Sequence, residues 1–195
     1  MCRTCGLPIK SPGVCLGCQQ DPPPYVALRS WVAFEGPIRP ALHRLKYRRN
    51  VALGDALSRP IGAFAKSLKW PVDTVVAVPL GRKRMKERGY NQVALVARPL
   101  AELTGWEYHP SALFRARETR SQVGLSAAER QGNMREAFRS DPRIVSGRTI
   151  LIMDDVATTG ATLTACSRAL LASGAKAVYA LTIARALPRH GLKIV

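Results

Sequence analysis

The chain lacks the sequence features of membrane, secreted and dinucleotide-binding proteins. No apolar run approaches the roughly 18 residues that a membrane span needs, so we expect no bilayer crossing. The first residues, MCRTCG, contain no apolar stretch typical of a secretory signal, and a cytoplasmic location is therefore expected. Neither GxGxxG nor GxxxxGKS/T occurs, which removes the usual support for a dinucleotide or P-loop site.

Acidic residues are also scarce, since 13 Asp and Glu face 30 Lys and Arg and leave a net charge of +17. The basic residues are clustered: residues 39–49 hold five Arg or Lys and no acid, and residues 82–88 hold five with Glu87 as the one acid. This clustering indicates a polyanionic partner, first of all a nucleic acid, and general solubility is the alternative. The candidate contacts with DNA are Arg44, Lys46, Arg48, Arg49, Lys86 and Arg88.

Four of the five cysteines fall within the first 18 residues, in the spacing C-x2-C-x9-C-x2-C. Two such pairs can direct four thiolates at one ion. They predict a structural zinc site held by Cys2, Cys5, Cys15 and Cys18. A redox pair and unrelated cysteines are the alternatives. The Pro-rich stretch DPPPY follows, so residues 1–24 are predicted to be a zinc module with its linker and residues 25–195 a second domain. Cys166 is predicted to be a buried structural thiol.

The second domain alternates strand and helix patterns. Short apolar, β-branched runs predict strands at residues 28–34, 73–79, 148–153 and 177–183. Longer segments predict helices at residues 38–47, 52–70, 91–103 and 162–173, with Pro60 interrupting the second and Pro99 kinking or dividing the third. A charged loop is expected after Pro79, a mobile loop at residues 115–126 and a short helix at residues 127–134. The alternation predicts an α/β fold whose mostly parallel sheet is flanked by helices.

Residues 150–166, ILIMDDVATTGATLTAC, place two acids at the end of an apolar strand and lead through threonines and a glycine into a helix. Ligands of open α/β sheets bind beyond the carboxyl ends of the strands. There, Asp154 and Asp155 can accept hydrogen bonds from vicinal ribose hydroxyls or help to hold Mg²⁺. Gly160, the threonine hydroxyls and the N–H groups of a helix N-terminus suit a phosphate. The segment therefore predicts a ribose 5-phosphate site, and an ordinary strand–turn–helix with exposed acids is the alternative.

This segment resembles the signature of type I phosphoribosyltransferases, which bind phosphoribosyl pyrophosphate (PRPP). Taken with AVPLGRKRMKERGYNQ (77–92), RETRSQVGLSAAER (117–130) and the N-terminal cysteines, it resembles the ComF family of competence-associated proteins over nearly the whole chain. The resemblance implies a type I phosphoribosyltransferase fold with a small N-terminal four-cysteine zinc module. One departure concerns Thr158, because purine-salvage members have an acid there that can act as a general base, and a threonine does not readily do so.

The resemblance also implies roles for individual residues. Asp154 and Asp155 would be the catalytic residues that hold the ribose hydroxyls, with Mg²⁺ accompanying PRPP. The 5-phosphate would lie on Ala157, Thr158, Thr159, Gly160, Ala161 and Thr162. Pyrophosphate would face Arg82, Lys83 and Arg84. A flexible loop would close over the site and offer Arg117, Arg120 and Ser121. Residues 42–53, with Lys46 and Tyr47, would belong to a hood over the second substrate.

Three functions are compatible with these residues. The first is a PRPP-binding protein that serves DNA uptake in natural transformation and grips single-stranded DNA through its basic faces. The second is a Mg²⁺-dependent phosphoribosyltransferase acting on a nucleobase or a related acceptor, whose basicity is incidental. The third is a binding scaffold for which PRPP is a regulatory ligand. The positive charge exceeds what one PRPP needs, which favours the first.

Overall fold

Five parallel strands form the central sheet. The computed structural model describes residues 1–116 and 137–187. The strands of the described part are β1 (Ala27–Ala33), β2 (Thr74–Ala77), β3 (Glu107–Tyr108), β4 (Leu113–Arg115), β5 (Phe138–Ser140), β6 (Thr149–Ala157) and β7 (Ala177–Arg185). The central sheet has the order β1-β7-β6-β2-β3 with every pairing parallel, and β4 and β5 form a small antiparallel pair. The prediction of an α/β fold with a mostly parallel sheet is confirmed.

Helices connect the strands and cover both faces of the sheet. They are α1 (Leu16–Gln20), α2 (Ile38–Tyr47), α3 (Val51–Ser67), α4 (Arg82–Arg88), α5 (Ala94–Thr104), α6 (Pro142–Val145) and α7 (Ala161–Ala172). None of the helices in the described ranges is long and apolar enough to cross a bilayer.

Three predictions about this part of the chain were wrong. The segment after Pro79 was expected to be a loop, but α4 begins at Arg82, buries no residue and ends at Gly89, whose φ is 71°. A helix without an apolar face carries no periodic signal, and the left-handed glycine is what ends it. Pro60 was expected to interrupt its helix, but it lies inside α3, which continues unbroken from Val51 to Ser67. Pro99 likewise lies inside α5, which is not divided between Ala94 and Thr104. Pro99 has no N–H to donate to the Leu95 carbonyl, and α5 continues without that hydrogen bond.

The apolar strand residues alternate between two cores. On one face of the sheet, Ile150 and Ile152 pack with Leu163 and Leu170 of α7. On the other face, Leu151 and Met153 pack with residues of α2, α3 and α5. Successive side chains of a strand point to opposite faces, so the two acids that follow this run face different surroundings.

The predicted buried thiol is also confirmed. Cys166 lies on α7 and is fully buried against β6 and its neighbours. Burial raises the pKa of its thiol well above the ordinary value, and the nearby charge of Asp154 acts in the same direction.

Candidate functional site

The candidate site lies at the carboxyl edge of the sheet, where parallel strands end side by side. The end of β6 carries Asp154 and Asp155, and β2 ends beside it at Ala77. The N–H of Val78 continues the pairing by donating to the carbonyl of Met153, at 2.8 Å. The turns that follow β2 and β6 are therefore neighbours, as expected for ligand sites of parallel sheets.

Asp155 is buried and already has protein partners. Its Oδ2 accepts from Lys46 Nζ at 2.9 Å and from Gln92 Nε2 at 2.9 Å. The side-chain oxygen of Gln92 in turn accepts from Arg88 at 2.8 Å. This chain of contacts joins β6 to α2 and to the segment between α4 and α5. Asp155 thus links α2 to the end of β6 through its contact with Lys46.

Asp154 has a different environment from its neighbour. Its Oδ1 accepts from the backbone N–H of Asp155 at 2.8 Å. Burial, followed by the charge of Asp155, raises the pKa of Asp154 to about 7. The charges of Lys46 and Arg84 act in the opposite direction. A carboxyl held in this way gains from a ligand that offers hydroxyl donors or a cation.

The elevated pKa of Asp154 predicts a specific pH dependence of stability. Its folded-state pKa lies above the ordinary value of 3.8. Between about pH 4 and 7 the folded state therefore retains a proton that the unfolded state has lost, and stability falls as the pH rises through that window. We expect Asp154→Asn to match the wild type in unfolding free energy below pH 4 and to exceed it by about 2–4 kcal/mol above pH 7. Urea unfolding of both proteins from pH 4 to 8 measures this, and a difference that stays constant with pH would contradict the assignment.

The segment Ala157–Thr162 forms a turn into α7. Gly160 precedes the helix with φ 83°, a left-handed conformation that suits glycine. The N-cap residue Gly160 has no side chain to cap α7, and Thr159 Oγ1 accepts from the N–H of Ala161 at 3.3 Å. Thr158, Thr159 and Ala161 are exposed. The first turn of a 12-residue helix thus presents its N–H groups and hydroxyls to an anion from solvent.

The basic residues predicted to face pyrophosphate lie on α4. Arg82, Lys83 and Arg84 are all exposed, and the charge of Arg84 acts on Asp154. The side chain of Arg115 lies against Gly81, since a Cβ at Gly81 would be 3.7 Å from its guanidinium nitrogen. Arg84 therefore brings positive charge from α4 close to Asp154. Arg117, Arg120 and Ser121 of the predicted flexible loop, and the helix predicted at residues 127–134, lie outside the described residues.

The DNA candidates surround an exposed tyrosine at the end of α2. Tyr47 is 62% exposed, and Arg88 lies over its ring at 5.2 Å from the centroid, with the His43 ring at 4.6 Å. Four of the predicted residues are exposed here or on α4: Arg44, Arg48, Arg49 and Lys86. The other two have internal contacts, Lys46 with Asp155 and Arg88 with Gln92.

The turn after α2 is held by Tyr90. The Tyr90 hydroxyl donates to the Leu45 carbonyl at 2.8 Å and accepts from the N–H of Arg49 at 2.8 Å. Arg49 has φ 43°, a left-handed conformation uncommon for arginine, which these contacts stabilise. Asn91 fixes the same segment to the sheet by donating to the Val78 carbonyl at 2.9 Å. The residues that present the basic surface are therefore fixed to the strand ends.

Comparison with known proteins identifies the family. The model of the family described as "Phosphoribosyl transferase domain" matches residues 88–192. The DNA utilization protein YhgH of Escherichia coli K12 is 36% identical over 194 residues, covering 96% of this chain and 85% of that protein. Competence protein ComFC of Bacillus subtilis is 29% identical, covering 95% and 78%, and competence protein F of Haemophilus influenzae is 28% identical, covering 77% and 69%. The chain belongs to the ComF family of phosphoribosyltransferase-like proteins.

The four N-terminal cysteines of this ComF-family chain come together as predicted. The side-chain sulfurs of Cys2, Cys5, Cys15 and Cys18 all lie within 4.8 Å of one another. Four thiolates around a tetrahedral zinc ion, each bonded at about 2.3 Å, are separated by about 3.8 Å. Cys5 and Cys15 are already at 3.6 Å. The donor set and its spacing therefore fit a single four-coordinate metal ion.

Sequence reasoning missed several residues of the ComF-family site. It gave no role to Tyr90, Asn91 or Gln92, although all three lie in the RGYNQ block. It also missed Tyr25 and Arg185, which are buried near the turn that contains Gly160. The available signal was Arg185 at the end of the apolar run LTIAR, because an arginine buried there needs hydrogen-bond acceptors.

Proposed function

We propose that the chain binds PRPP together with Mg²⁺ at the carboxyl edge of the sheet. Asp154 would accept the ribose hydroxyls, and the turn Ala157–Thr162 would hold the 5-phosphate. Arg82, Lys83 and Arg84 would face pyrophosphate. The supporting observation is that Asp154, whose carboxyl is disfavoured as a charge, lies on the same strand–turn segment as a helix N-terminus with glycine at its N-cap. Bound Mg²⁺ would neutralise the pyrophosphate, and a carboxylate with phosphate oxygens is the donor set it prefers.

The function supported best is that of a PRPP-binding protein with a nucleic-acid partner, acting in DNA uptake. If the chain is an enzyme, the bond from C1 to pyrophosphate breaks, pyrophosphate leaves with the electron pair, and a nucleophile bonds to C1 after losing a proton to water. Asp154 and Asp155 would position the sugar, and the basic residues would stabilise the leaving charge. Thr158 offers no general base, which argues against a purine base as the nucleophile.

Two measurements separate binding from turnover. Calorimetry with PRPP and Mg²⁺ measures binding, and pyrophosphate release with a panel of nucleobases measures transfer. Binding with release would support the second candidate, a nucleobase-type phosphoribosyltransferase. Binding without release would support PRPP as a regulatory ligand on a scaffold. Absence of PRPP binding would refute the proposal.

The nucleic-acid partner is proposed to be single-stranded DNA, bound on the surface formed by the end of α2, the turn to α3 and α4. Exposed basic side chains there surround Tyr47, whose ring can stack on a base. Aromatic and basic residues in one place suit a flexible single strand better than a rigid duplex. The names of the relatives, a DNA utilization protein and two competence proteins, support a role in handling DNA. The names indicate a process that involves DNA, and the experiment below tests whether this chain binds DNA.

Removing exposed charge from this surface should weaken DNA binding and its salt dependence. The variant Arg44→Gln/Arg48→Gln/Arg49→Asn removes three charges that have no part in the Asp155 contacts. We expect the slope of log K against log salt to become shallower by about 2, because each phosphate contact contributes about 0.7 for single strands. Fluorescence anisotropy with a labelled oligonucleotide at several salt concentrations measures it.

A matched control removes the same charge elsewhere. Arg59, Lys66 and Lys176 are exposed and lie on α3 and before β7. Their triple substitution to Gln should leave most of the slope intact. Equal slopes for the two triple variants would show that the α2–α4 surface is not the DNA site.

A further inference from the structure

The cysteine module is attached to the sheet through consecutive carbonyl groups. The Arg3 carbonyl accepts from the Arg29 guanidinium at 3.0 Å, and the Thr4 carbonyl accepts from the Leu28 N–H at 2.7 Å. The Cys5 carbonyl accepts from the Arg185 guanidinium at 3.1 Å. All three donors belong to the neighbouring strands β1 and β7. The turn that carries Cys2 and Cys5 is therefore bound to β1 and β7 through its backbone carbonyls.

Gly6 sets how closely this turn approaches β1. Its φ is 71°, and a Cβ placed on it would lie 2.5 Å from the Leu28 carbonyl oxygen. Both the backbone conformation and the space therefore require glycine. The N–H of Gly6 also donates to the Cys2 carbonyl at 3.1 Å, which closes the turn.

The same strand residues lie directly beneath the phosphate turn. A Cβ on Gly160 would be 3.3 Å from the Tyr25 hydroxyl and 3.9 Å from a methyl group of Leu28. Arg185 is paired in register with Ala157, where the turn begins, and the N–H of Ala186 donates to the Ala157 carbonyl at 3.0 Å. Leu28 and Arg185 thus contact the cysteine turn on one side and the proposed phosphate site on the other.

The hydrogen bonding of Arg185 depends on the folded structure of the cysteine module. Arg185 is only 5% exposed, and its Nε is buried without a hydrogen-bond partner among the described residues. The Cys5 carbonyl is therefore an acceptor that a buried guanidinium would lose if the turn unfolded. A segment as small as this module has no core of its own and depends on its metal for structure.

We propose that metal binding by the four cysteines and ligand binding by the Gly160 turn are thermodynamically coupled, with Leu28, Tyr25 and Arg185 as the positioning residues. The proposal rests on the proposed function for its ligand. With metal bound, the cysteine turn fixes β1 and Arg185, and these fix Gly160 at the start of α7. Without metal, the phosphate turn loses its support and binds PRPP more weakly. Coupling is reciprocal, so PRPP must raise the affinity for the metal by the same factor.

The first test changes the docking and leaves the cysteines in place. Gly6→Ala should push the turn away from β1. Gly17→Ala is the matched control, because Gly17 lies in the same module, has no positive φ and would place an added Cβ with nothing within 4 Å. We expect PRPP affinity to fall about tenfold in Gly6→Ala, a typical coupling factor, and to stay unchanged in Gly17→Ala. Metal content per chain, measured on both variants, shows whether the ion is retained. Equal PRPP affinities in the two variants would overturn the proposal.

The second test uses the unaltered chain and is decisive even if Gly6→Ala loses its metal. Zinc affinity is measured by competition with a chromophoric chelator, with and without saturating PRPP. A rise of about tenfold supports the coupling, and an unchanged zinc affinity in the presence of bound PRPP overturns it.

A third measurement separates this inference from the proposed function. Hydrogen exchange of the first hydrogen-bonded amides of α7, beginning with the Thr164 N–H that donates to the Gly160 carbonyl at 2.9 Å, is compared between the metal-bound and chelator-treated protein without PRPP. Faster exchange after metal removal supports the coupling even if calorimetry finds no PRPP binding, in which case only the proposed ligand is wrong. Unchanged exchange overturns the coupling whatever the ligand.

Discussion

Asp154→Asn is expected to lower PRPP affinity by about 100-fold or more and to leave the fold at least as stable at neutral pH. The substitution removes the carboxylate that would face the sugar and Mg²⁺. It keeps an oxygen that can accept from the Asp155 N–H, which the structure shows bonded to Asp154 Oδ1 at 2.8 Å. It also removes a charge whose pKa is raised by burial and by Asp155. Calorimetry with PRPP and Mg²⁺, together with urea unfolding at pH 7.5, measures both effects.

Asp155→Asn provides the contrast. Asp155 contacts Lys46 and Gln92 inside the protein, so its replacement is expected to lower the unfolding free energy by about 1–3 kcal/mol. It is also expected to weaken PRPP binding. Lys46→Met should cost a similar amount or more, because it leaves the buried Asp155 carboxylate without its cation. PRPP binding by Asp154→Asn within about threefold of the wild type, a difference under 1 kcal/mol, would refute the site assignment.

Gly54→Ala is expected to destabilise the protein by about 3 kcal/mol or more. A Cβ on Gly54 of α3 would lie 2.6 Å from the Leu95 carbonyl oxygen of α5, well inside contact distance. Helix backbone does not move aside as a flexible side chain can, although both residues lie in the first turns of their helices. The Leu95 carbonyl has no N–H donor within its helix, because residue 99 is proline. The close approach of α3 places a Cα hydrogen of Gly54 against this carbonyl. The loss is measured by urea unfolding with a common m value.

Gly62→Ala is the matched control on the same helix. Its Cβ would meet only side-chain atoms at ordinary contact distances, Thr104 at 3.7 Å and Leu100 at 3.8 Å. Alanine is the better helix former, so this variant is expected to be neutral or more stable by up to about 1 kcal/mol. If both variants lost several kcal/mol, helix α3 would be sensitive to any added methyl group, and the specific contact with Leu95 would not be the cause.

Local patterns in the sequence were sufficient for four of the five strands of the central sheet, including the strand that carries the acids, and missed the two-residue β3. The alternation in ILIM and the strand-to-helix signal around Gly160 depend on neighbours in the chain, and both elements are present. Helix α4 was missed because RKRMKER has no apolar face, and the left-handed Gly89 marks only its end. The assignment of ligand contacts to this segment stays a prediction, and the different surroundings of Asp154 and Asp155 were not foreseen.

Contacts between distant segments account for the rest. Both aspartates were assigned to the ribose, but Asp155 contacts Gln92, 63 residues away, and Lys46 of the hood. Nothing in the spacing of either segment encodes that pairing. The docking of the cysteine turn on β1 and β7 was invisible for the same reason, since it depends on backbone carbonyls whose partners are set only by the tertiary fold.

The burial of Cys166 gives the chain a built-in probe for chemical labelling. The other four cysteines cluster where a metal would protect them, so metal-saturated protein offers one remaining thiol, and it is inaccessible in the native state. A thiol reagent can modify Cys166 only after α7 separates from β6, because burial both blocks access and disfavours the thiolate. The rate of modification therefore reports the opening of the sheet beneath Asp154, without an engineered label.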